Sequence, residues 1–201
     1  WAEGPMAEKV ISKTLFKKSK ITGSDIWRYK AKGYILNATL TQFDSKIYFV
    51  ESRTPCLKLS ARKRAQDDIF DSTFLIALDL ESGETLYEKK LDHHPGKTAY
   101  SMAAGSDKLV VLSSGDRNYH LYTHSSADGS LIWKDEIPWF NGDHGGHLSR
   151  PAIVGNKLIV KPSVYDLNTG IPLDYNVPKS GHGCASYALT EQSIFYRGGS
   201  V

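Results

Sequence analysis

The sequence predicts an all-β chain of small four-stranded antiparallel sheets, stacked as the blades of a β-propeller. Two short phrases recur in the same order along the 201 residues. One is a glycine turn followed, after three residues, by an aromatic residue; the other is a polar turn followed by an apolar strand. Their period of about 40 to 50 residues suits a four-stranded blade. We therefore expect about four blades and no long helix.

The glycine phrase marks a tight hairpin turn in each predicted blade. Glycine adopts positive φ at low cost and can close a tight hairpin. The aromatic residue that follows is expected to pack between neighbouring sheets, because a sheet with two faces to bury cannot bury them alone. The copies are Thr22–Trp27, Ser82–Tyr87, Asp128–Trp133 and a degenerate Thr169–Asp174, which turn at Gly23, Gly83, Gly129 and Gly170.

The individual strands follow from alternating or continuous apolar runs that end in these turns. Lys9–Lys18 is rich in β-branched residues and is predicted as a strand rather than a helix. The other predicted strands, in order, are Ile47–Val50, Phe74–Asp79, Leu109–Leu112, Tyr119–Thr123, Leu158–Val160, Val164–Leu167 and Ile194–Tyr196. Four repeats of four strands predict roughly sixteen strands in all.

An insertion is predicted between Glu51 and Asp71, because the first glycine spacing exceeds the others by about 15 residues. It concentrates positive charge at Lys58, Arg62, Lys63 and Arg64. A basic segment of this kind forms either a patch for an anionic partner or a solvated loop. We favour the solvated loop.

Composition excludes several classes of protein. A net charge of +3, from 25 basic and 22 acidic residues, gives no general attraction to nucleic acid. No apolar run is long enough for a transmembrane segment. The two cysteines, Cys56 and Cys184, exclude a disulfide-dense scaffold and an all-cysteine metal site. The chain begins at Trp1 without an initiator methionine, shows no targeting segment and ends just after a predicted strand, so we expect a piece of a longer protein.

The repeats resemble those of the PQQ-like (quinoprotein-type, BamB-like) β-propeller family. The resemblance rests on Phe74–Tyr87, where a strand ending in Ala-Leu-Asp runs into a Ser-Gly turn, and on Val164–Gly170. It covers most of residues 1–201, apart from the first few residues and the insertion. It implies that the four blades belong to a larger ring of seven or eight, and that the protein is periplasmic or secreted.

The resemblance leaves the function open, because the family includes both PQQ-dependent dehydrogenases and non-enzymatic scaffolds. The dehydrogenases use a vicinal cysteine pair, a tryptophan beneath the quinone, and a calcium site with an aspartate base. Here Cys56 and Cys184 are far apart in sequence, so the vicinal pair is absent and no residue carries over as a PQQ ligand. PQQ or a divalent metal remain the cofactors to test, and neither is assigned.

Histidines in glycine-rich loops form the candidate metal site. His144 and His147 lie among three glycines, and His182 and Cys184 occupy the corresponding place before the next repeat. Both pairs precede the innermost strand of a predicted blade, so the four side chains are expected to converge at the mouth of the central channel. Imidazole and thiolate are transition-metal ligands. The spacing matches no standard zinc signature, and structural hydrogen bonding, with Cys184 as a small buried residue, is the favoured alternative.

The remaining candidates are ligand-binding residues near the same loops. Arg150 and Arg197 offer guanidinium groups to an anionic ligand, although pairing with a carboxylate in the fold is favoured. Trp139 marks either a contact surface or loop packing. A glycosylation sequon, Asn37-Ala38-Thr39, falls within a predicted strand.

Three functions are therefore compared. The first is a non-enzymatic binding or scaffolding module, whose loops take a protein or glycan partner. The second is a segment of a PQQ-dependent oxidoreductase, and the third is a metal-binding propeller channel. We favour the binding module; the sequence leaves the oligomeric state open.

Overall fold

The computed structural model describes residues 11–55, 67–94, 99–138, 150–175 and 188–195. These residues form an all-β structure, in which the only helices are two short 3₁₀ turns at Asn37–Thr39 and Asp67–Phe70. The strands are β1 (Ile11–Lys18), β2 (Asp25–Leu36), β3 (Thr41–Phe43), β4 (Lys46–Ser52), β5 (Thr73–Asp79), β6 (Thr85–Lys90), β7 (Ala99–Gly105), β8 (Lys108–Gly115), β9 (Asn118–Ser125), β10 (Leu131–Pro138), β11 (Ala152–Val154), β12 (Lys157–Val160), β13 (Ser163–Asp166), β14 (Pro172–Leu173), β15 (Ala188–Leu189) and β16 (Ile194–Phe195). The predicted all-β class is confirmed.

The chain divides into two compact units, Trp1–Pro95 and Gly96–Val201. In the first unit, β3–β4–β5–β6 form an antiparallel four-stranded sheet, and the β1–β2 hairpin joins it through a short pairing of β2 with the end of β4. In the second unit, β7–β8–β9–β10 and β11–β12–β13–β14 each form a four-stranded sheet in sequence order, and β15–β16 form a separate pair. This is the antiparallel strand order that the repeat predicts.

The four glycine turns share one geometry. The amide of Gly23 donates to the carbonyl of Ser19 at 2.9 Å, and Gly83, Gly129 and Gly170 donate to the residue four positions before them at 2.9–3.0 Å. Their φ angles are all +72° or +73°. A side chain is strained in this left-handed region, which explains why glycine recurs at this position.

Two tryptophans dock onto the glycine turn of the next sheet in the same unit. Trp27 Nε1 donates to the carbonyl of Leu80 at 3.1 Å, and its ring covers Gly83 so closely that a Cβ there would lie 2.6 Å from the ring. Trp133 Nε1 donates to the carbonyl of Leu167 at 2.9 Å and covers Gly170 in the same way. These contacts confirm the predicted packing of the aromatic residue between sheets for Trp27 and Trp133.

Each unit has its own apolar core between adjacent sheets. In the first unit the buried residues Ile35, Phe49, Ile76 and Leu78 pack together, with Trp27 and Leu15 against them. In the second unit, Val110, Leu112, Tyr119 and Leu121 of one sheet meet residues of the next, namely Leu158, Val160, Tyr165 and Leu167. Burial of alternate residues on adjacent sheets is the main source of stability in such stacks.

The sequon segment departs from the prediction. Asn37–Thr39 form a 3₁₀ turn between β2 and β3 instead of continuing a strand. The hydroxyl of Thr39 donates to the carbonyl of Leu36 at 2.6 Å and accepts from the amide of Val50 at 2.8 Å. These two bonds hold the chain in a local turn, which is how threonine competes with a strand ladder.

No helix in the part of the chain described here is long and apolar enough to cross a membrane.

Candidate functional site

The strand directions give the sheets two unlike edges. One edge, here called the turn edge, carries short hairpin turns: 44–45 and 80–84 in the first unit, and 106–107, 126–130, 155–156 and 167–171 in the second. Contacts between sheets tie this edge together within each unit. Trp27 on Gly83 is one such contact, and the hydroxyl of Ser106 donating to the carbonyl of Gly155 at 2.9 Å is another.

The opposite edge, here called the loop edge, carries the long connections. Residues 53–72 join β4 to β5, 91–98 join β6 to β7, 139–151 join β10 to β11, and 174–187 join β14 to β15. Each connection leaves its own sheet at that sheet's loop edge, because it follows a strand that runs away from the turn edge. Long loops on a rigid scaffold are where binding residues concentrate.

Most candidate residues from the sequence belong to these connections. Trp139, His144, His147, His182, Cys184 and Arg197 lie outside the described residues, so their convergence stays a prediction. Arg150 is described; it is exposed and comes two residues before β11. Within the described ranges, no three histidine, cysteine or acidic side chains are grouped in a way that could hold a metal ion.

A network of charged groups, which the sequence did not predict, lies at the base of the 51–71 insertion. Glu51 is completely buried at the end of β4. One carboxylate oxygen accepts from the amide of Gly33 at 2.9 Å and from Arg53 Nε at 2.8 Å, and the other accepts from the hydroxyl of Tyr29 at 2.8 Å. Three donors compensate the cost of burying this carboxylate.

Arg53 is the centre of the network. Its Nη1 donates to Glu88 at 3.0 Å, and its guanidinium lies over the ring of Phe74, 4.1 Å from the centroid. Lys32 donates to both oxygens of the same Glu88 at 2.7 and 2.8 Å. The hydrogen bond from Arg53, and secondarily the one from Lys32, lowers the pKa of Glu88. We name Tyr29, Lys32, Glu51, Arg53 and Glu88 the junction network, because they link β2, β4 and β6.

Close backbone approach makes the junction network possible. Gly33 in β2 lies against Ser52, and a Cβ at Gly33 would collide with the carbonyl oxygen of Ser52. This contact lets β2 pair with the end of β4 and directs the Gly33 amide at Glu51. Burial, and then the hydrogen bond to Glu51, raises the pKa of Tyr29, so its hydroxyl stays a donor. A charged residue in the apolar run Ile47–Val50-Glu51 was the sequence signal for this feature.

A second polar contact lies at the loop edge of the second unit. Nδ1 of the buried His120 lies 3.1 Å from a carboxylate oxygen of Glu136. Asn118 donates to the other oxygen of the same carboxylate at 2.6 Å. This arrangement orients the imidazole and stabilises pairing between β9 and β10.

The second unit has two further ionisable residues with shifted pKa values, Lys161 and Tyr165. Lys161 is buried between β12 and β13, and burial lowers its pKa. Burial, followed by the neighbouring Asp135, raises the pKa of Tyr165 to about 12. Both residues sit within packed structure, so they contribute to the core and not to an open site.

Comparison with solved structures gives several related folds. The chain is similar to the quinohemoprotein alcohol dehydrogenase of Pseudomonas putida HK5, at 12% identity and a TM-score of 0.52 over 80% of this chain and 30% of that one. It is similar to a europium-containing methanol dehydrogenase, at 11% identity and a TM-score of 0.51 over 79% of this chain and 37% of that one. The quinohemoprotein alcohol dehydrogenase of Comamonas testosteroni matches at 12% identity and a TM-score of 0.51, over 80% and 31% of the two chains.

These likenesses establish the fold. The chain therefore has the fold of part of a propeller, and it spans about a third of the length of the dehydrogenases it matches. No protein-family model and no curated protein matches the sequence.

Three carboxylates at the described loop edge are already engaged inside the fold. Calcium is bound by carboxylate and carbonyl oxygens. At the described loop edge, the carboxylate of Glu51 is saturated by internal donors, and those of Glu88 and Glu136 are each paired with neighbouring side chains. These carboxylates act as structural groups.

Proposed function

We propose that this chain is a non-enzymatic binding module, whose loop edge takes a protein or glycan partner outside the cytoplasm. The observation that carries this proposal is the asymmetry of the sheet edges. All four long connections leave at the loop edge, whereas packing contacts fix the turn edge. The carboxylates of Glu51, Glu88 and Glu136 are engaged inside the fold, so we assign the partner-specific contacts to the connections.

The test compares loop-edge and turn-edge variants as affinity baits. One bait replaces residues 56–66 with a Gly-Ser linker, and a second replaces 141–147 with a linker of equal length. The control bait carries Ile21→Ser, a change at a fully exposed position beside the Gly23 turn. We expect loss of a captured protein, or of signal on a defined glycan panel, with one of the loop baits alone. Identical binding by all baits would contradict the proposal.

A second candidate, a segment of a PQQ-dependent oxidoreductase, is favoured by the fold it shares with alcohol and methanol dehydrogenases. Titration of the chain with PQQ and calcium, followed by fluorescence, tests this candidate directly. Saturable binding of PQQ would favour it over the binding module. A flat titration would remove it for this chain.

The predicted metal channel has a separate test. Metal content of the purified chain is compared with that of a His147→Ala, His182→Ala double variant. Near-stoichiometric metal lost in the variant would support these ligands, and metal retained in the variant would exclude them.

A further inference from the structure

Positive charge is concentrated on the β1–β2 hairpin. Residues 11–36 contain seven lysine and arginine residues and one aspartate, so their formal charge is +6, whereas that of the whole chain is +3. Three carboxylates pair with the hairpin: Asp25 at the start of β2, Glu81 in the 80–84 turn and Glu88 in β6. Four of the seven positive charges are therefore left without a carboxylate among the described residues. The seven cations are Lys13, Lys17, Lys18, Lys20, Arg28, Lys30 and Lys32.

The two faces of β2 differ in chemistry. The inner face packs against the apolar core of the first unit through Trp27 and Tyr29. Successive residues of a strand point to opposite faces, so Arg28 and Lys30 lie together on the outer face, about 7 Å apart. Both are exposed. The outer face of β2 is therefore a cationic surface of the first unit.

Lys18 extends this cationic surface onto β1. The Lys18 ammonium and the Arg28 guanidinium both donate to Asp25 at 2.6 Å, so two cations share one carboxylate. The side chains of Lys18 and Arg28 are 49% and 63% exposed. Lys30 has no carboxylate partner in the described part of the chain. We name Lys18, Arg28 and Lys30 the cationic row.

Comparison of the repeats shows that the place of Lys18 is unusual. β5, β9 and β13 also run into a glycine turn, and five residues before the glycine they carry Leu78, His124 and Tyr165, all of which are buried. In β1 this place is taken by Lys18. Burial of an ammonium group without a paired anion is costly, so a lysine here fits a polar contact and not an apolar one.

Exposure of Arg28 and Lys30 is the rule for their places in the repeat. β10 is the outermost strand of the complete β7–β10 sheet, and Lys134 and Glu136 occupy the same two places after its glycine turn. Both are exposed. In β10, and likewise in β6, the two places hold one acid and one base, whereas β2 presents two cations. The single sign of charge is what distinguishes β2.

A linear polyanion fits the cationic row better than a flat anionic surface does. Lys17, on the inner face, pairs with Glu81 of the neighbouring 80–84 turn at 2.7 Å, and Glu84 belongs to the same turn. A lipid bilayer that approached the tip of the hairpin would meet these carboxylates and be repelled. A polymer chain that lies along β2 meets the cationic row on the other face.

The aromatic residues of the hairpin are unfavourable for single-stranded nucleic acid. Such ligands gain much of their affinity from bases that stack on aromatic rings. Trp27 and Tyr29 are packed against the core. Lysine ammonium groups lie over the rings of Phe16 and Tyr34, at 5.3 and 4.8 Å from the ring centroids. Bases would have to displace these lysines in order to stack.

We propose that the cationic row binds an acidic polysaccharide, a glycan with carboxylate or sulfate groups, laid along β2. Arg28 donates to Asp25 through one terminal nitrogen, and its other N–H groups can donate to an anionic group of the glycan. Lys18 and Lys30 bind neighbouring anionic groups as point charges. The choice of a glycan rests on the setting outside the cytoplasm in the proposed function. The surface is a strand face and is separate from the long connections.

The test measures the affinity of the 201-residue chain for fluorescently labelled heparin, a sulfated polysaccharide, by anisotropy at several salt concentrations. The double variant Arg28→Gln, Lys30→Gln removes two charges of the cationic row. It is expected to bind heparin at least roughly tenfold more weakly. The slope of log affinity against log salt concentration is expected to become shallower by about one for each lost cation.

The matched control is the double variant Lys89→Gln, Lys90→Gln. Both residues are exposed on β6, the outermost strand of the neighbouring sheet, and the control loses the same net charge. Its affinity for heparin is expected to stay within about twofold of the wild-type value, because salt screens charges that do not contact the ligand. Circular dichroism and urea unfolding check that both double variants stay folded.

Each outcome decides a different part of the proposal. Weaker heparin binding in the Arg28→Gln, Lys30→Gln variant, with a control close to the wild type, supports it. Equal losses in the two double variants overturn the cationic row as the site, because net charge alone then sets the affinity. A wild-type chain without saturable heparin binding overturns the proposal as a whole. Tighter binding of DNA or of phosphatidylglycerol vesicles than of heparin overturns the glycan as the ligand. None of these variants alters a long connection, so failure here leaves the loop-edge proposal standing.

Discussion

At the scale of single residues, the glycine of the recurring hairpin turn serves two purposes that can be separated. Gly23, Gly83 and Gly170 share a φ of +72° or +73°. Gly83 and Gly170 are also covered by a tryptophan ring, whereas nothing lies within 4 Å of a Cβ placed on Gly23. The backbone requirement is therefore common to all three, and the packing requirement is not.

Alanine substitutions measure the two purposes. Gly23→Ala is expected to lower the free energy of unfolding by roughly 1–2 kcal/mol, because it places a side chain in the left-handed region. Gly83→Ala adds about 1–3 kcal/mol of overpacking, because its Cβ would lie 2.6 Å from the Trp27 ring. Urea unfolding of both variants gives the difference. Equal losses of stability would mean that the tryptophan shifts freely.

Arg53 is the second residue whose substitution is expected to lower the stability of the fold strongly. Its side chain is 17% exposed and bridges the fully buried Glu51 to Glu88, whereas Lys32, on the far side of Glu88, is 62% exposed. Arg53→Met keeps an aliphatic stem over Phe74 but removes a donor from Glu51, so we expect a loss of about 3 kcal/mol.

Lys32→Met is the control for Arg53→Met. It also removes a cation from Glu88, but from the solvent side, and is expected to cost less than about 1 kcal/mol. Both variants are compared by urea unfolding at pH 7. Similar costs for the two substitutions would show that the junction network behaves as an ordinary surface cluster.

At the scale of elements, the turns before each glycine use one of two acceptors. Asp79 accepts from the amides of Glu81 and Ser82, and Asp166 accepts from those of Asn168 and Thr169, at 2.7–3.0 Å. The turns that end at Gly23 and Gly129 have a serine at the same position. In the first of them, the Ser19 hydroxyl accepts from the amides of Ile21 and Thr22 at 3.2 Å. The same turn is thus built with a titratable acceptor or without one.

This difference predicts a response to acid. The hydrogen bonds from Ser82 lower the pKa of Asp79, and those from Thr169 lower that of Asp166, below the usual 3.8. A depressed folded-state pKa stabilises the fold above the unfolded value, and this stability is lost as pH falls through the folded value. The double variant Asp79→Ser, Asp166→Ser is therefore expected to lose a smaller share of its stability between pH 5 and pH 2.

The acid measurement is made in 0.5 M NaCl. Exposed ion pairs such as Lys18–Asp25 also lose stability in acid, but salt screens them, whereas short backbone hydrogen bonds persist. Parallel acid curves for the wild type and the double variant would contradict the role given to the two aspartates.

Elements differ in how well the sequence predicts them. The glycine turns and apolar strands are local patterns, and the strand predicted over Lys9–Lys18 is found at Ile11–Lys18. The partner of each tryptophan is set by tertiary packing, so the sequence indicates the docking of Trp27 but not that it covers Gly83. Asn37–Thr39 form a 3₁₀ turn and not a strand because the Thr39 hydroxyl bonds to Leu36 and to Val50, and hydrophobic periodicity does not encode side-chain hydrogen bonds of this kind.

The 51–71 insertion shows that tertiary contacts also limit how much of the candidate site the sequence predicts. Its basic residues predict a solvated loop, yet its two ends enter the fold: Arg53 joins the junction network and Ile69 is buried. Glu51 at the end of an apolar run was a signal for a buried charge, but the run does not identify Arg53 as its partner, because burial of Arg53 depends on Glu51 and Glu88, which lie on different strands. The histidine-bearing loops, which the sequence singled out most strongly, lie outside the described residues.

At the scale of the molecule, the strands and the contacts at their ends carry the stability, and the connections beyond them are the part whose length we expect to be free to change. Packing between sheets at the turn edge, such as that of Trp27 and Trp133, connects neighbours within each unit. The connections at the loop edge start after the strand ladders are complete. β4 and β5 pair through Ser52 and Thr73, and the amide of Arg53 adds a bond to the carbonyl of Ser72 at 2.7 Å. The length of the connection beyond this point is free to change.

Replacing residues 56–66 with a short Gly-Ser linker tests this separation. The entropic cost of closing a loop depends weakly on its length, so the free energy of unfolding of this variant is expected to lie within about 1 kcal/mol of the wild-type value. Ile69→Ala, in the retained part of the insertion, removes a buried side chain and is expected to cost roughly 2–5 kcal/mol. Urea unfolding compares the free energies of unfolding of the two variants. If the linker variant is the less stable of the two, residues 56–66 belong to the folded core, and the loop edge cannot be the variable face on which the binding function is based.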